Sequence, residues 1–216
     1  LAQCLVNVQM HIKTIKLFIS LLLILPFAYA NGQGAWVVSK QENGIKIYSR
    51  HSEHSKFDDI KVETDFPGNV SQMASILSDV EQYPQWAYAT KICKLVKKTS
   101  STDFIYYSEI DVPWPSTDRD LYAHCKITYN RDTHSFKLIA EAIKDYAPEK
   151  KDIIRVALSK GIWNVTSISN KMIHVEYILE LDPGGNVPAW LLNLFSTKGP
   201  METFASLKKK MTSLNP

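Results

Sequence analysis

The sequence is poor in cysteine, in glycine and in metal-binding spacings. Its 216 residues hold three cysteines, Cys4, Cys93 and Cys125. That is too few for a disulfide framework. Eight glycines and no internal repeat exclude a linker-rich or low-complexity chain. No CxxC or HExxH spacing occurs, so no zinc motif is present. His51 and His54 lie in a polar His-Ser-Glu-His stretch with no third ligand in sight. A solvated loop accounts for them better than a metal site. No nucleophile elbow or phosphate loop appears, and no cofactor is expected. A charge excess is missing too. There are 25 Lys and Arg and 22 Asp and Glu, a formal net of +3. Lys13 and Lys16 fall in the first thirty residues, which carry no acid; the remainder nets +1. That excludes the basic stripe a nucleic-acid partner requires.

What is present begins with an export-type leader. Met10 reads as a start, with Lys13 and Lys16 as a positive n-region and 17–27 as an apolar core. Ala28-Tyr29-Ala30 is a small-x-small cleavage site. As a helix, 17–30 would span ~21 Å, short of the ~30 Å hydrocarbon core. The expected organisation is therefore 1–9 as an upstream extension, 10–30 as a signal peptide, and 31–216 as one exported domain, periplasmic or secreted.

The rest reads mostly as strands. Asn43-Gly44 separates two apolar stretches, a hairpin signal. Residues 58–66 alternate, with Ile60, Val62 and Phe66 on one side. Asn69 is placed to cap a helix carrying Val70, Met73, Ala74 and Leu77. Further strands are expected at 91–97, 104–112, 120–129, 135–141, 153–158, 161–166 and 172–181. Leu121, Ala123, Cys125 and Ile127 share one face of theirs; Ile173, Val175, Tyr177, Leu179 and Leu181 share one face of the last. Asp182-Pro183-Gly184-Gly185 is a turn. A closing helix starts near Pro188 and repeats Trp190, Leu191, Leu194, Met201, Phe204, Leu207 and Met211, with a kink expected at Gly199-Pro200. Segregated strands and helices of this kind are an α+β arrangement. Periodicity does not say whether the space under the last helix is filled or hollow.

Several segments resemble one family in order along the chain. They are Trp36 with Gly44-Ile45-Lys46-Ile47-Tyr48, Tyr83-Pro84-Gln85-Trp86, Val112-Pro113-Trp114-Pro115-Ser116-Thr117-Asp118-Arg119-Asp120, Ile154-Arg155-Val156, and the run from Asp182 to Asn193. Together they resemble the START lipid-transfer domain from about Trp36 to Met211. The resemblance implies a helix-grip fold, a curved antiparallel sheet wrapped around a long C-terminal helix with a tunnel for one lipid. It implies a monomeric lipid-binding or lipid-transfer protein rather than an enzyme, with transient membrane contact. The alternative on the same fold is a cyclase or hydrolase acting on a hydrophobic substrate. Ligand-selecting positions differ from the family's phosphocholine binders: Tyr83 stands where their phosphate-binding arginine does, and their aromatic cage maps near Ser108, Leu121 and Ser159. The buried charged pair of sterol binders maps near Ser108 and Cys125. In the family's strand order a third strand separates Cys93 from Cys125, which puts them ~9–10 Å apart, too far to bridge.

The candidate lipid-binding residues are Trp86, Ser108, Arg119, Leu121, Ala123, Leu158, Trp163, Trp190, Leu191 and Leu194. Arg119 shares the strand parity of Leu121 and Ala123, so it points inward. It either pairs with Asp118, Asp120 or Glu109, or meets a ligand's polar head. Glu109, Glu176 and Glu180 are expected on wet faces, where carboxylates make poor catalysts.

Overall fold

A computed structural model describes residues 34–214. The leader and its cleavage site lie outside the described residues. The fold is a ten-stranded curved sheet with helices over its concave face, the α+β helix-grip arrangement. The strands are β1 (Val37–Glu42), β2 (Ile45–Arg50), β3 (Asp59–Pro67), β4 (Thr90–Ser100), β5 (Asp103–Ile110), β6 (Asp118–Asn130), β7 (Ser135–Ala142), β8 (Ile153–Arg155), β9 (Leu158–Ser169) and β10 (Met172–Asp182). Their order across the sheet is β1-β2-β3-β10-β9-β7-β6-β5-β4, all antiparallel, with β8 alongside β6 in parallel. The late strand β10 is thus central, paired to β3 and β9.

Local chemistry explains the elements. Asn43 and Gly44 both take positive φ and close the β1–β2 hairpin. Helix α1 (Val70–Ser78) opens on a reciprocal cap: the Asn69 side chain accepts from Gln72 N at 3.0 Å, and Gln72 accepts from Asn69 N at 2.9 Å. A 3₁₀ turn (Val80–Gln85) containing Pro84 follows. Strand β9 begins at Leu158, three residues earlier than alternation suggests, because β10 extends to Asp182 and pairs it with Leu158.

The C-terminal helix runs as three segments: α2 (Ala189–Asn193), a π turn (Leu194–Lys198) and α3 (Gly199–Ser213). The expected kink at Gly199-Pro200 takes the form of this wider turn. Gly199 N donates back to Leu194 O, and Pro200, with no N–H to give, sits at the start of α3. Gly199 is also tight: a Cβ there would lie 2.8 Å from Leu194 O and 3.2 Å from the Tyr88 ring.

Helix α3 turns Met201, Phe204, Leu207 and Met211 onto the sheet. Phe204 stacks on Trp163 (centroids 5.4 Å, interplanar 17°) and meets Phe66 at 6.2 Å. Beneath them Ile47, Val62, Phe66, Val165, Ile173 and Val175 are completely buried. Each such side chain contributes about 1.5–3 kcal/mol by leaving water.

Candidate functional site: an apolar cavity between sheet and helix

The inward face of β10 changes character along its length. Ile173 and Val175 are fully packed. Tyr177, Leu179 and Leu181, next on the same face, line a cavity of about 250 Å³. The face that the helix does not fill is therefore a wall. Strand β9 contributes Ser159, Gly161 and Trp163; β6 contributes Arg119, Leu121 and Ala123; the helix side supplies Leu194, Phe195 and Phe204. Gly161 leaves room for a large neighbour: a Cβ there would sit 3.2 Å from Tyr177 Oη. A second cavity of about 220 Å³ lies beyond Leu179, Leu181, Pro183 and Phe195, which wall both.

Among the candidates, Trp86, Arg119, Leu121, Ala123, Trp163 and Leu194 lie in the cavity wall. Four lie elsewhere. Ser108 is buried on β5 opposite Cys93 of β4, between the wall residues Tyr106 and Ile110 but not itself in the lining. Leu158 has the opposite parity to Ser159, Gly161 and Trp163, so it turns away from them. Leu191 is fully buried with Val112 and Leu194 at the cavity's rim. Trp190, one residue earlier on the helix, is 43% exposed. Wall residues not among the candidates include Tyr83, Tyr106, Ser159 and Tyr177. Tyr106 and Tyr177 were open to detection by strand parity.

The wall holds polar groups of two kinds. Tyr83 donates to Leu77 O at 2.6 Å and packs edge-on against Trp86. Burial pushes the Tyr83, Tyr106 and Tyr177 phenols above their ordinary values, so they stay neutral. The other kind are donors without acceptors. Trp86 Nε1 and both Nε and Nη2 of Arg119 are buried with no hydrogen-bond partner. Arg119 is 1% exposed, and its Nη1 donates to Ser116 Oγ at 2.7 Å and to Thr117 O.

None of the acids proposed for Arg119 pairs with it. Asp118 takes Lys91 at 3.0 Å and Val112 N at 3.0 Å. Asp120 is on the outer face, gripped by Arg155 Nε at 2.6 Å and Nη2 at 3.2 Å. Glu109 is also on that face but is buried, not wet; it accepts from Tyr107 Oη at 2.8 Å and Lys150 at 3.2 Å. Cys93 and Cys125 are free, and burial pushes both thiols up to about 12. Among the described residues no group of His, Cys, Asp and Glu could hold a metal ion.

This architecture has known counterparts. The START domain family model matches residues 28–215. An uncharacterized protein of Pseudomonas aeruginosa is 32% identical over 173 residues, 80% of this chain and 85% of that one. Phosphatidylcholine transfer protein of Mus musculus is 27% identical over 169 residues, 76% and 78% of the two chains. Among solved structures, the StAR-related lipid transfer protein of Xanthomonas axonopodis superposes with a TM-score of 0.74 at 26% identity, covering 82% of this chain and 98% of that one. Motif order, strand order and these matches converge, and the chain belongs to the START domain family.

Proposed function

We propose that the protein holds one lipid-like molecule in the cavity under its C-terminal helix and releases it at membranes. The observation that carries this reading is β10, whose inward face passes from packed core at Ile173 and Val175 to cavity wall at Tyr177, Leu179 and Leu181. Family membership supports lipid binding or transfer as the general role. The driving force is desolvation: each CH₂ taken from water contributes about 0.8 kcal/mol. The cavity of about 250 Å³ and the adjoining space of about 220 Å³ behind Phe195 would together take the apolar body.

Holding rather than chemistry suits the wall. Burial keeps the Tyr83, Tyr106 and Tyr177 phenols neutral, and the described lining of the 250 Å³ cavity includes no carboxylate, histidine or cysteine to serve as a base. The π turn and the tight Gly199 are where the helix would yield to admit a ligand. The rim carries apolar side chains in water: Trp114 is 90% exposed, Trp190 43% and Leu192 38%. Tryptophan at such a rim suits the boundary between lipid and water. With the leader cut after Ala30, the domain would act as an exported monomer.

The test is native mass spectrometry of freshly purified protein, followed by stripping and exposure to mixed lipids. One added mass per chain in the lipid range is expected. Stripped protein that takes up nothing would sink the proposal. The same spectra read the N-terminus, and a chain beginning at Asn31 is the expected result.

A further inference from the structure

The cavity contains an arginine with two of its three nitrogens, Nε and Nη2, unused. Arg119 Nε and Nη2 lie on one edge of the guanidinium, the edge that takes two oxygens of a carboxylate or phosphate side by side. The molecule shows that edge when filled: Arg155 holds both oxygens of Asp120 with the same two atoms. In Arg119 they are buried and unpartnered. No ion pair joins Arg119 to a carboxylate among the described residues; Asp118 is engaged by Lys91. Burial pulls the guanidinium below its usual value, yet an arginine remains a cation at any physiological pH. Asp118 acts on the guanidinium only through space, with no hydrogen bond or ion pair; a buried cation lacking a paired counterion is costly, a penalty an incoming anion removes.

We propose that the cavity selects an anionic amphiphile, whose carboxylate or phosphate oxygens are held side-on by Nε and Nη2 of Arg119 while its apolar body lies along Tyr177, Leu179 and Leu181. The inference rests on the lipid-holding reading above. Leu121 and Ala123, which follow Arg119 on the same strand face, carry the apolar surface away from the charge. The ligand would therefore be sorted by its head at the start of β6 and by its size along β9 and β10.

The test titrates stripped protein with oleate, 1-oleoyl-lysophosphatidate and oleyl alcohol, which share one chain and differ in head. At least one anion should bind wild-type protein about tenfold more tightly than the alcohol, the ~1.4 kcal/mol expected of hydrogen bonds to a charged group. A preference for oleate identifies a carboxylate ligand; a preference for the lysophosphatidate identifies a phosphate. R119Q should level the anions with the alcohol. R119K, a cation without the two-pronged edge, should restore only part of the preference. Equal binding of all three by wild type, or a preference that survives in R119Q, overturns the anion proposal and leaves lipid holding intact. Binding of none overturns both. The wild-type ratio decides the matter even if R119Q fails to fold.

Discussion

Arg119 and Arg155 sit on opposite faces of the same corner of the sheet, and they differ in one respect. On the outer face Arg155 is locked into Asp120, with 5% and 1% of the two side chains exposed. It also donates to Ala147 O and lies over the Tyr122 ring. Tyr122 in turn meets Tyr107 and Tyr146. Every strong donor there has an acceptor. On the inner face Arg119 is more deeply buried but has two idle nitrogens beside an apolar cavity. A folded chain keeps such a group only where something outside the chain satisfies it, or at a cost in stability. The outer corner is built to hold the fold and the inner corner to hold a guest.

The sharpest way to break this comparison is to make the same substitution at both positions. Arg155→Met leaves Asp120 buried and unpaired and should cost about 3–5 kcal/mol. Arg119→Met removes a buried charge that has no ion-pair partner, along with its Nη1 bonds to Ser116 Oγ and Thr117 O, and should lower ligand-free stability far less. Urea denaturation of the two stripped variants measures the difference. Equal losses would mean that Arg119 is structural.

The inner face can be tested through its space. Gly161→Ala puts a methyl 3.2 Å from the Tyr177 hydroxyl, so this wall ring must give by a few tenths of an ångström. A cost of about 1–3 kcal/mol is expected, with a larger fractional loss of lipid uptake. Unchanged uptake would separate the Tyr177 wall from the binding site. The outer face can be tested through its acid. Burial pushes Glu109 up, but hydrogen bonds from Tyr107 and Lys150 outweigh it and hold the carboxyl below its usual value. The stabilisation is therefore complete above the unfolded value near pH ~4.3 and is lost as pH falls through the folded value. Glu109→Gln should cost about 1 kcal/mol at pH 7, and the gap from wild type should close below about pH 4.

Strand parity made much of this legible. The alternation in β3, β6 and β10 gave each strand's inner face, and the Asn69 cap and Asn43-Gly44 turn gave their elements. Parity also held an answer that partner proximity obscured. Asp118 and Asp120 flank Arg119 in sequence and so must point to the other face, and Glu109 pairs with Asp120 on that same side. All three were excluded as partners by the period of two. Leu158 lies off the wall because the start of β9 is set by β10, a long-range pairing that local alternation does not contain. Trp190 lies off it because a helix shows its inner stripe at Leu191 and Leu194, three residues apart, and the residue before that stripe faces out. The cavity itself was legible only through the family resemblance, not through periodicity. Apolar residues on one face look the same whether a helix fills the space above them or stops short of it.

The smallest expected effect on stability lies at the rim, between the two faces. Trp114 is 90% exposed, and nothing within the described chain explains so large an apolar side chain in water. Its loop leads directly into Asp118 and Arg119, and Val112 at the loop's start packs with Leu191 and Leu194 beneath the helix. A contact made by Trp114 is thus coupled to both walls of the cavity mouth. Trp114→Ala should change unfolding free energy by less than about 0.5 kcal/mol, because no packing is lost. Co-sedimentation with lipid vesicles should fall severalfold, and lipid release to vesicles should slow with it. If vesicle binding and release both persist, the mouth opens without touching a bilayer, and the exposed tryptophan belongs to a protein partner instead.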